Sequence, residues 1–168
     1  MPKQLKHDEI LFEIKMFPIV LVCDHISFQE NIGSLFRISE AFGVEKIIFV
    51  GKDIPLNLRK INKTSRNTHL NVPYSIIEQT EQLIAYLCNN NYEIISLEIT
   101  DCSKSIKEIV IPFSKKIALI IGNEKNGICD GLLAASNQIV HITMYGKNSS
   151  MNVVQATSIA LYQITSLK

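Results

Sequence analysis

Residues 117–156 read IALIIGNEKNGICDGLLAASNQIVHITMYGKNSSMNVVQA. The stretch opens on five apolar residues, Ile117-Ala118-Leu119-Ile120-Ile121, unbroken by a polar one, the pattern of a strand covered on both faces. It then breaks into the turn-forming run Gly122-Asn123-Glu124-Lys125-Asn126-Gly127. A second apolar run, Ile139 to Met144, breaks the same way into Tyr145-Gly146-Lys147-Asn148-Ser149-Ser150, and a helical pattern starts at Met151-Asn152. An α/β sheet places its ligand site where strand ends open into loops of Gly, Asn and Ser. A hydrophobic core alone does not require so much loop chemistry, so the segment reads as a binding site.

The same grammar runs through the rest of the chain. A polar lead with a weak amphipathic helix, Ile10, Leu11, Phe12, Ile14 and Phe17, stops at Pro18. Ile19 to Cys23 is a buried strand, and Ile32, Leu35, Phe36, Ile38 and Phe42 recur at helical spacing from Asn31 until Gly43 closes the helix. Ile47 to Val50 is the next strand, so the order β-α-β implies parallel pairing. The middle predicts a short helix after Asp53, a brief strand near residues 70–72, a helix over 78–89 and a strand over 92–99. Residues 101–116 form a polar connection with one helical turn, a short helix surrounds Gly131 to Ala135, and the last helix is amphipathic. Alternating β and α predicts one α/β domain over residues 1–168, an open, mostly parallel sheet with helices on both faces.

Composition narrows the function classes. With 17 basic and 16 acidic residues the formal net charge is +1, so no global field advertises a polyanion and any contact to one must be local. Cys23, Cys88, Cys102 and Cys129 form no CxxC pair, and His7, His25, His69 and His141 have no ligand spacing, so no metal is expected. The N-terminus has no apolar signal core and no run approaches the ~18 residues of a membrane helix. A reducing cytoplasm is the expected compartment and no membrane partner is expected.

Three clusters carry the chemistry. Asn31 falls where a helix cap belongs, and Gly33 allows another backbone or a ligand to approach the first turn. Arg37, in a mainly apolar helix, needs an anionic partner. That partner is either a side chain such as Glu124 or an anionic ligand. Gly122 and Gly127 permit a tight turn whose backbone groups can read a ligand edge, while Glu124 either orients Arg37 or fixes the loop. Leu97 and Ile142 offer apolar walls and serve equally as core. Ser150 and Asn152 flank Met151 at a helix start, where they can cap the helix, hold a ligand, or do both. Arg59, Lys60, Lys63 and Arg66 form the one local basic run, either phosphate contacts or a solvated surface.

Taken together, Asn31-Ile32-Gly33-Ser34-Leu35-Phe36-Arg37 (N-x-G-x-x-x-R), Gly122 to Gly127 (G-x-E-x-x-G) and Ile142-Thr143-Met144 with Ser150-Met151-Asn152-Val153 resemble the SpoU (TrmH-like) branch of the SPOUT RNA methyltransferases. The likeness covers the chain from about Ile19 to Lys168 and departs at Thr143, Val154 and Gln155. It implies a SPOUT-type fold with a C-terminal deep trefoil knot, a homodimer, and S-adenosylmethionine bound beside Leu97, Gly122, Glu124, Gly127, Ile142, Met144, Ser150 and Met151. It further implies that Asn31, Ser150 and Asn152 place a ribose. The family treats Arg37 as the group taking the 2′-hydroxyl proton, a role to set against a contact with the RNA phosphate. The expected function is an RNA 2′-O-ribose methyltransferase acting on tRNA or rRNA. The alternative is a non-catalytic RNA-binding or scaffolding protein that keeps the fold.

Overall fold

Alternation within single strands divides the core in two. The computed structural model describes residues 2–5, 9 and 12–168, with the side chains of Leu58 and Arg59 outside that description. In β1 (Phe17–Asp24), Ile19, Leu21 and Cys23 face one way, Val20 and Val22 the other, and all are fully buried. The strand β6 (Lys116–Ile121) divides identically, Ile117, Leu119 and Ile121 against Ala118 and Ile120. Period two with both faces apolar is what a central parallel strand needs.

Five more strands complete the sheet: β2 (Val44–Val50), β3 (Tyr74–Ile77), β4 (Tyr92–Leu97), β5 (Lys104–Ser105) and β7 (Gln138–His141). Their order is β3-β2-β1-β6-β4-β7-β5 and every pairing is parallel. On one face lie α1 (Gln29–Ala41), α2 (Leu58–Ser65) and α5 (Val153–Ser166), burying Leu35, Phe36, Ile61, Leu161 and Ile164. On the other lie α3 (Thr80–Asn89) and α4 (Asp130–Ala135), burying Leu83, Leu87 and Leu132. The chain builds outward from β1 through β2 to β3, then crosses to the opposite side for β4, so the loops diverge at the strands' carboxyl ends.

Several expected boundaries move. The helix predicted from Asn31 starts earlier, with Phe28 in the capping position, which leaves the Asn31 side chain inside the first turn and free for another partner. The strand expected near residues 70–72 is a 3-10 turn, Thr68–Leu70, entered through Arg66 and Asn67 at φ 52 and 70°, and β3 begins only after Pro73. Of the N-terminal amphipathic helix, Ile10 and Leu11 lie outside the described residues and 12–16 form no helix. Phe17 and Pro18 already belong to β1, where a proline is tolerated near the start of a strand.

Gly33 sets how closely α1 approaches α2. A Cβ there would run into Thr64 Oγ1 and lie 2.8 Å from the Ile61 carbonyl oxygen. The close approach is to another helix's backbone and not to a ligand. Since the carbonyl cannot swing aside, Gly33→Ala is expected to destabilise the fold by about 1–3 kcal/mol in urea unfolding. Adding Thr64→Ala should recover only part of that loss, because the Ile61 carbonyl remains.

Candidate active site at the strand ends

A cavity of about 520 Å³ opens at the carboxyl ends of β6, β4 and β7, with the starts of α1 and α5 on its rim. That volume suits a drug-sized or cofactor-sized molecule. Leu97 comes from the end of β4, and Gly122, Glu124 and Gly127 from the turn after β6. Ile142 and Met144 follow β7, Ser150 and Met151 precede α5, and Asn31 and Asn152 stand at the two helix starts. The structure therefore brings together ten of the residues singled out from sequence.

Glu124 binds the wall of this cavity together. Its carboxylate accepts hydrogen bonds from Ser27 N (3.1 Å), Ser27 Oγ (3.0 Å), Phe28 N (3.2 Å) and Asn31 Nδ2 (2.8 Å). Asn31 Oδ1 in turn accepts from Asn152 Nδ2 (3.2 Å), while Asn152 Oδ1 caps α5 by accepting from Val154 N (2.8 Å). One polar chain thus runs from the glycine turn through α1 to α5. Burial alone would raise the pKa of Glu124, but the Asn31 amide and the backbone N–H groups of the loop outweigh it and hold the carboxyl below its ordinary value.

The glycine turn is closed by its own backbone. A Cβ on Gly122 would collide with the Gly127 carbonyl group, and Gly127 has φ +68°. Asn123 and Gly127 exchange both backbone hydrogen bonds at 2.9 Å. Asn123 Oδ1 accepts from Lys125 N and Asn126 N, and its Nδ2 donates to the His25 carbonyl at 2.6 Å. The amides of residues 123 and 125–127 are therefore spent inside the turn. The turn shapes the cavity; its amides at these positions are not the donors that read a ligand.

Arg37 does not sit where the apolar helix suggested. It falls on the exposed stripe of α1 with Glu30, Ser34 and Ala41, outside the cavity wall. Among the described residues it makes no ion pair, so of the two alternatives the bridge to Glu124 is absent; Glu124 fixes the loop and Asn31 instead. Lys60, Lys63 and Arg66 are exposed on and just after α2, away from the cavity, and the Arg59 side chain lies outside the described residues. Cys23 is a buried core thiol whose burial, with the nearby charges of Glu124 and Asp24, pushes its pKa up.

Two cavity residues escaped the sequence reading. Glu98 follows Leu97 at the end of β4; its Oε1 accepts from Ile99 N (2.9 Å) and its Oε2 from Ile128 N (3.2 Å). The strand predicted over 92–99 ends at Leu97, and a lone carboxylate near a strand end carried no pattern that would have found it. His141 was read as structural or surface, yet it lines the cavity with Nδ1 held by Ser103 Oγ at 2.9 Å. Ser103 gives its proton to the Thr100 carbonyl, so Nδ1 of His141 is the donor in that pair. Among the described residues no cluster of three metal-binding side chains occurs, and no helix is long and apolar enough to cross a membrane.

Comparison with known proteins gives the family and the fold. The model of the SpoU rRNA Methylase family matches residues 18–162, and the chain belongs to that family. It is 31% identical over 145 residues to the 23S rRNA (adenosine(1067)-2'-O)-methyltransferase of Streptomyces azureus, covering 86% of this chain and 53% of that protein. It is 23% identical over 164 residues to the tRNA (guanosine(18)-2'-O)-methyltransferase of Aquifex aeolicus, covering 96% and 75%. The chain thus spans about half the length of the first relative and three quarters of the second. Its fold matches the AdoMet-bound rRNA methyltransferase from Sinorhizobium meliloti with a TM-score of 0.83 at 22% identity, over 93% of this chain and 59% of that one.

A carboxyl held below its unfolded-state value adds stability that is present above the unfolded value and lost as pH falls through the folded one. Glu124→Gln should therefore lower the unfolding temperature at pH 7, and the gap to the wild type should close as pH drops below about 4. Scanning calorimetry from pH 3 to 8 reads this directly. A gap that stays constant into acid would show that the carboxylate's charge contributes nothing.

Proposed function

We propose that the protein is an S-adenosylmethionine-dependent methyltransferase that modifies a ribose 2′-hydroxyl in tRNA or rRNA, acting as a homodimer in the cytoplasm. The observation that carries this reading is the hydrogen-bond chain Glu124–Asn31–Asn152, which joins three distant motifs around one cavity. The names of the curated relatives, both 2'-O-methyltransferases of RNA, support the reaction class.

The cavity's chemistry fits a nucleoside cofactor carrying both charges. Leu97, Ile142, Met144 and Ala156 supply apolar wall for a base, and the carboxylate of Glu124 on the same lining favours a cationic centre. The start of α5, capped by Asn152, presents the free amide ends that favour a carboxylate. When bound, S-adenosylmethionine supplies an electrophilic methyl group on a sulfonium centre.

The chain's own residues do the rest. Glu124 fixes Asn31, and Asn31 fixes Asn152, so the amides at the rim are oriented before any ligand arrives. Asn31, Asn152 and Ser150 hold the ribose. Arg37 carries a guanidinium with no acidic partner among the described residues and takes the phosphate beside the reacting sugar, neutralising charge near the hydroxyl as it loses its proton. A guanidinium is a permanent cation with no lone pair to offer, so it does not serve as the base unaided. Lys60, Lys63 and Arg66 extend the phosphate contacts along the RNA. Exposed Phe28 beside the cavity, with Ile159 and Tyr162 on α5, offers the apolar surface a second copy would cover.

Methyl transfer to unmodified tRNA and rRNA tests the reading. The wild type should incorporate label at a ribose, and Arg37→Ala should lower the rate about 100-fold or more with cofactor affinity unchanged. Tight cofactor binding with no transfer to either RNA would instead support the scaffolding alternative.

A further inference from the structure

Because the glycine turn spends its amides internally, recognition of a nucleoside in this cavity must rest on other polar groups. Glu98 is placed for it. A carboxylate offers about four lone-pair sites. Glu98 uses one on each oxygen, accepting from Ile99 N at 2.9 Å and Ile128 N at 3.2 Å. The two bonds come from two different loops, the one after β4 and the residue that follows the glycine turn, so the side chain is fixed and one acceptor site per oxygen remains. Room for it is built into the turn: a Cβ on Gly127 would sit 2.6 Å from Oε2.

Two parallel acceptor sites on a fixed carboxylate match two adjacent hydroxyl donors. We propose that Glu98 reads the vicinal 2′,3′-diol of the cofactor's own ribose, as a specificity-determining residue of the cofactor site. The carboxylate therefore has two tasks, tying the β4 loop to the glycine turn and accepting from the sugar. Leu97 immediately before it and Ile142 after β7 line the same cavity with apolar side chains, so the charged acceptor at this end of the cavity is Glu98. This assignment rests on the reading of the cavity as an S-adenosylmethionine site.

Calorimetry on the full chain separates the two tasks. The probes are S-adenosylhomocysteine and its 2′-deoxy and 3′-deoxy analogues, with S-adenosylmethionine as reference. The wild type should bind each deoxy analogue about tenfold or more weakly than the parent, the usual worth of a hydrogen bond to a charged group. In Glu98→Ala the parent should lose both bonds and each analogue the one it keeps, so the parent weakens by the larger factor and the ratio of parent to analogue collapses towards one. A residue that only ties the loops together would weaken parent and analogues by the same factor and leave their ratio intact, which overturns the proposal. Should Glu98→Ala not fold, Glu98→Gln keeps the side chain's shape with a weaker acceptor, and the ratio must still fall. A wild type that binds the parent and analogues equally also overturns the assignment. Failure of the wild type to bind S-adenosylmethionine at all removes the cofactor reading itself, a result distinct from binding without discrimination.

Discussion

A single carboxylate, Glu124, decides whether this cavity has a wall. It gathers two backbone amides, a hydroxyl and an amide side chain from residues 27–31, on the far side of the β1–β6 pair from its own turn. Such bonds are charge-assisted and directional, and four donors converge on one side chain. With Glu124 in place, Asn31 has one orientation, and through Asn31 so does Asn152. The helix starts are thereby aimed inward as a set.

The sheet explains why these groups can meet. All pairings are parallel, so every strand delivers its carboxyl end to the same side, and the crossing from β3 to β4 opens the space between the loops. The apolar runs fix the strands' faces; the residues just beyond them are released from packing and carry chemistry. Leu97 and Glu98 illustrate the division: the first partly buried against the core, the second already hydrogen-bonded across the cavity.

Most of the architecture was legible because strand and helix announce themselves by period. The runs at 19–23, 47–50 and 117–121 could be nothing but buried strands, and they are. The cavity residues were legible where a loop had more Gly, Asn and Ser than turning requires. What stayed hidden depends on three-dimensional partners. Nothing in the spacing of Arg37 says that it faces solvent, since Leu35 and Phe36 beside it are buried on the opposite side of the same helix. Likewise a glycine turn that looks rich in free amides proves to satisfy most of them itself, through the Asn123 side chain and its pairing with Gly127. Glu98 was invisible for the converse reason: one carboxylate after a strand has no pattern around it.

The polar chain along the rim also sets when the site can exist. Glu124 and Ser27 are 97 positions apart in the sequence, and Asn152 and Asn31 are 121 apart. Contacts of such long range repay the loop entropy they cost only after the central strands have docked. No fragment from either half of the polypeptide can rehearse this geometry beforehand. The binding surface is consequently among the last features to form, and a chain still emerging or partly unravelled presents none of it.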